Sequence, residues 1–66
     1  MFCDQYEKML RLCVRNHAIG AISTHDAVNR LREIANRAMG DEFLKAEDSL
    51  KILEIVDAEI DLMTHP

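Results

Sequence analysis

The sequence predicts an all-α fold, a small antiparallel three-helix bundle. Three observations lead there. Apolar residues recur at the three-and-four spacing of a helix along the whole chain, and no segment alternates at the period of two that a strand requires. Two Gly and one Pro are the strongest breakers available, and the periodicity is interrupted around both glycines. At 66 residues, 48% of them hydrophobic, the chain suffices for one core and one domain, read here as a single helical domain over 1–66.

The first helix is expected over about 3–17, entered near Phe2 or Cys3. Phe2, Tyr6, Met9, Leu10, Leu12, Cys13 and Val14 make its broad apolar side, with Asp4, Lys8, Arg11 and Arg15 facing away. Asp4–Lys8 and Glu7–Arg11 are i,i+4 pairs in the favourable order, worth about 0.2–0.5 kcal/mol each. The stretch NHAIGAIS then breaks the helix. Gly20 suits the left-handed conformation used at helix endings, and Ile19 and Ile22 are placed to plug the end of the core.

Ser23 or Thr24 should cap the second helix, expected over 24–39, with the Asp26 carboxylate near its positive end. Ala27, Val28, Leu31, Ile34, Ala35 and Ala38 form the inward stripe. Three of these are Ala, so a neighbouring helix can come close. His25, Asn29, Arg30, Glu33 and Arg37 lie opposite, and Gly40 ends the helix. Phe43 and Leu44 fall off the azimuth of the residues that follow. Residues 41–46 are therefore expected to form a short extra helical turn or a kink, with Asp48 or Ser49 as a new cap.

The third helix is expected over 47–63 and carries two apolar groups. Ile52, Leu53, Val56, Ile60 and Met63 share an arc of about 100°. Ile55 and Leu62 share another, with Glu59 between the groups and the carboxylates Glu54, Asp57 and Asp61 in a stripe beyond. Ala46, Ser49, Leu53, Val56, Ile60 and Met63 also follow heptad spacing, a seam that could pair with a copy of itself or a partner helix.

Charge is split along the chain. Residues 1–40 hold six Lys and Arg against four Asp and Glu, a net +2; residues 41–66 hold two against eight, a net −6, which together give the −4 of the whole. The first two helices and their Gly-containing turn could form a helix-turn-helix offering Thr24, His25, Asn29, Arg30 and Arg32 to a groove. A +2 half attached to an acidic helix is a poor footprint for phosphate, which counts against that reading.

Catalytic and metal chemistry find little footing. Cys13 and His17 stand at i,i+4, but structural zinc takes four ligands in paired short spacings, and no such set follows. STHD holds a hydroxyl, an imidazole and a carboxylate, yet neighbours on one helical turn point apart and capping accounts for them. No enzyme activity, cofactor or metal is expected. Cys3 and Cys13 are separated by about 15 Å of helix rise, too far to bridge, so free thiols in a cytoplasmic setting are expected. No stretch approaches the roughly 20 apolar residues of a membrane span.

The function expected from these features is that of a small protein-binding regulator or inhibitor, of a kind suited to a phage or mobile element. Its expected partner-binding residues are Ile55, Leu62, Glu59, Glu54, Asp57 and Asp61. The partner would be another protein, including one that binds nucleic acid if the acidic stripe mimics phosphate, and the chain would be a homodimer. A nucleic-acid-binding regulator using the second helix and a structural homo-oligomerisation module are the alternatives.

Overall fold

The computed structural model describes residues 4–65, which form three helices: α1 (Asp4–Ala18), α2 (Thr24–Met39) and α3 (Ala46–Thr64). Among the described residues there is no strand. Phe2 and Cys3 lie outside them. Side-chain ties fix the directions. At one end of the bundle the Tyr6 hydroxyl, early in α1, donates to an Asp41 carboxylate oxygen at 2.8 Å just past α2. There too Ser49, early in α3, donates to the Ala38 carbonyl at 3.3 Å. At the other end His17 of α1 and Thr24 of α2 meet at 2.9 Å, through the ring Nε2 and the hydroxyl. Sequential helices therefore run antiparallel.

The core draws on all three helices. Tyr6, Leu10 and Cys13 of α1, Leu31, Ile34 and the three alanines of α2, and Ile52 and Val56 of α3 are buried; Leu31 and Ile52 are the largest fully enclosed side chains. Met9, Ile22, Leu44, Leu53, Ile60 and Met63 pack around them. The heptad seam of α3 is thus largely occupied within its own bundle. Ala46 at its start is exposed, whereas Val56 is core and Leu53, Ile60 and Met63 lean on it.

Local chemistry explains the helix ends. Ser23, with extended backbone, accepts the Asp26 N–H on its hydroxyl at 3.1 Å, as a capping residue does. Gly20 sits at φ 78°, the left-handed region expected of it. In the connection after α2, residues 41–45 form a single hydrogen-bonded turn and no helical segment. The Leu44 N–H donates to the Asp41 carbonyl at 3.1 Å, and the Asp41 carboxylate accepts the Phe43 N–H at 2.9 Å, which makes a side-chain-stabilised turn. Nor do Asp48 or Ser49 cap α3. The cap position is Lys45, which offers no side-chain acceptor, and the helix begins at Ala46. Asp48 is already inside the first turn, where its carboxylate suits the positive helix end. Ser49 serves instead one of the α2 carbonyls that the helix end leaves available.

Two apolar expectations fail. Ile19 is 68% exposed and plugs nothing; beyond the Gly20 turn it is Ile22 that packs on the core. Leu12 is 59% exposed, because the core-facing arc of α1 is set by Tyr6, Leu10 and Cys13 and Leu12 lies at its edge. Of the two i,i+4 pairs on α1, Glu7–Arg11 forms an ion pair.

Candidate functional site

α3 turns one face inward through Ile52 and Val56, so Glu54, Asp57 and Asp61 stand outward and exposed. The structure separates the six residues singled out on this helix. Leu62 is 67% exposed and follows Asp61 in sequence, about 100° round the helix from it. Ile55, only 37% exposed, and half-buried Glu59 instead line a shallow cleft against α1, opposite Leu10, Arg11, Val14 and Arg15. Ile55 is thereby partly accounted for inside the bundle. Glu59 faces the guanidinium-bearing side of α1, but no ion pair within 4 Å links α3 to the arginines of α1 or α2 among the described residues. Asp61 does meet the ring of His65, the residue just past the end of α3, at 3.2 Å in an exposed pair.

Other exposed apolar residues were not marked by the sequence reading. Leu50, 59% exposed, lies four residues before Glu54 on the same outer face. Extending the helical wheel one turn towards the start of α3 would have found it. Met39 and Phe43, the latter 92% exposed, flank the α2–α3 connection.

On the far side of the molecule, α1 and α2 enclose a groove of about 220 Å³ floored by Met9, Leu12, Cys13 and Ile34 and edged by Arg30 and Arg37. The α1 residues along it differ from those that line the cleft with α3, so the groove opens away from α3. The Cys13 Sγ–H donates to the Ala27 carbonyl at 3.5 Å. Burial pushes this thiol above its ordinary value, an effect only partly offset by the Arg30 charge. Since the thiolate is the reactive form, Cys13 should resist iodoacetamide at neutral pH. In a Cys3→Ser background, alkylation of the folded protein should run at least about tenfold slower than in denaturant; equal rates would show the site open.

The candidate chemical constellations do not converge. Cys13 is directed to a backbone carbonyl and His17 to Thr24; Ser23 caps α2, while His25 pairs with Asn29 at 3.2 Å. Among the described residues no three His, Cys, Asp or Glu side chains gather closely enough to hold a metal ion. No helix among them is long and apolar enough to cross a membrane. No family model, curated protein or solved structure matches the chain.

Proposed function

We propose that the protein is a small regulator that binds another protein through the outer face of α3, with no catalytic role. The observation that carries this reading is Leu62, 67% exposed directly beside the exposed Asp61, with Asp57 and Glu54 on the turns before it. An exposed apolar side chain next to a stripe of one sign of charge has the composition of a contact site, with the leucine as anchor and the carboxylates selecting a basic counterpart. Burying a leucine fully is worth about 1.5–3 kcal/mol. An inhibitor carried by a phage or mobile element is the finer form of this reading, and the small size and single acidic face suit it. A nucleic-acid-binding target fits the carboxylate stripe as a phosphate mimic.

Capture from a native-host lysate on immobilised protein tests the reading. Leu62→Asp should remove the captured protein while helicity and thermal midpoint stay nearly unchanged, since the residue lies outside the core. Capture unaffected by Leu62→Asp and by reversal of Glu54, Asp57 and Asp61 to Lys would reject this face. Loss of capture on Arg30→Ala with Arg32→Ala, together with retention on duplex DNA at low salt, would move the function to the exposed side of α2.

A further inference from the structure

We propose that the groove between α1 and α2 receives the acidic face of α3 from a second copy of this chain, so that copies associate head to tail. The groove has an apolar floor, with Leu12 59% exposed, and a cationic edge at Arg30 and Arg37. The face it would receive is its complement, with carboxylates at Glu54, Asp57 and Asp61 around the exposed Leu50.

Spacing as well as sign agrees. Arg30 and Arg37 are seven residues apart on α2, as are Glu54 and Asp61 on α3, two helical turns or about 10.5 Å in each case. A helix laid along the groove can therefore present both carboxylates to both guanidinium groups in one register. Among the described residues neither arginine is engaged in an ion pair within 4 Å. Glu33 also lines the groove and opposes the incoming carboxylates, so the local excess is one positive charge. The affinity is accordingly modest, and apolar contact through Leu12 and Leu50 supplies what exposed ion pairs do not.

The two surfaces lie on opposite sides of one molecule, because the groove opens away from α3 and the acidic face points away from the core. A reciprocal two-fold dimer cannot satisfy both. Each copy uses its α3 on one neighbour and its groove on another, and such head-to-tail contacts build rings or open chains of more than two copies. A standard interface covers about 800 Å² per partner, roughly a sixth of the 4837 Å² surface of this chain for each contact. The inference does not rest on the protein-binding reading, although association would cover the face that reading uses.

Light scattering on purified protein, with no other partner present, tests it. At low salt the mean mass should climb above 7.6 kDa as concentration rises to about 1 mM, without levelling at twice that value, and should fall back in high salt. Arg30→Glu with Arg37→Glu should weaken association at least about tenfold, as should Glu54→Lys with Asp61→Lys; all four positions are exposed, so circular dichroism should show intact helices. Mixing the two double variants restores opposite charge at each contact and should restore the higher mass. A monomer at every concentration would overturn the proposal. So would association that survives both double variants, or a mass that stops at the dimer.

Discussion

Replacing Ile52 by Ala should cost about 2–5 kcal/mol and shift the unfolding midpoint sharply downward. Ile52 has no exposed surface and stands with Leu31 as one of the two largest side chains fully enclosed by the bundle. Truncation removes three carbons from the point where α3 meets the other helices, and the opening left is too far inside for water to fill favourably. The whole domain has on the order of 3–10 kcal/mol of stability, at about 0.05–0.15 kcal/mol per residue, so one such loss consumes a large fraction of it. A urea titration followed by circular dichroism measures the change in midpoint. A cost under about 1 kcal/mol would mean that α3 is not seated on the core as described.

The opposite change, adding volume, should be nearly as harmful at Ala27. This residue has no exposed surface, and its carbonyl receives the Cys13 thiol from α1. A leucine side chain there would meet α1 directly, pushing the helices apart or forcing side chains off their rotamers, at a cost of about 1–3 kcal/mol. The same substitution at Ala58, exposed on α3, should cost next to nothing and serves as the control. Equal melting temperatures for the Ala27 and Ala58 variants would show that α1 and α2 are not in close contact at this point.

The features read correctly from sequence are those set within one helix or its cap. The bounds of α2, the Ser23 cap and the Gly20 conformation follow from side-chain chemistry acting over a few residues. The failures share one cause: each depended on what lies opposite. Leu12 belongs to the apolar side of α1 by its spacing, yet the core-facing arc set by Tyr6, Leu10 and Cys13 leaves it 59% exposed. A shared azimuth does not give Ile55 and Leu62 equal exposure, 37% against 67%, since only Ile55 lies in the cleft against α1. A helical wheel gives directions without neighbours. The α1–α2 groove was illegible for the same reason, since its arginines and its apolar floor come from different helices.

The placement of α2 between its two sequence neighbours has a kinetic consequence. α1 leans mainly on α2 and touches α3 little, while α2 and α3 share the most extensive packing and are joined by the short 40–45 connection. Contacts close in sequence form at small loop-closure cost and so form early. Both connections are short, so packing decides the order: α1, which touches α3 little, is expected to be the first element to leave when the bundle opens. Its departure uncovers the buried faces of Leu31 and Ile34. The step that most exposes this chain to proteases and misassembly is thus the loosening of its first helix, well before the cooperative loss of the rest.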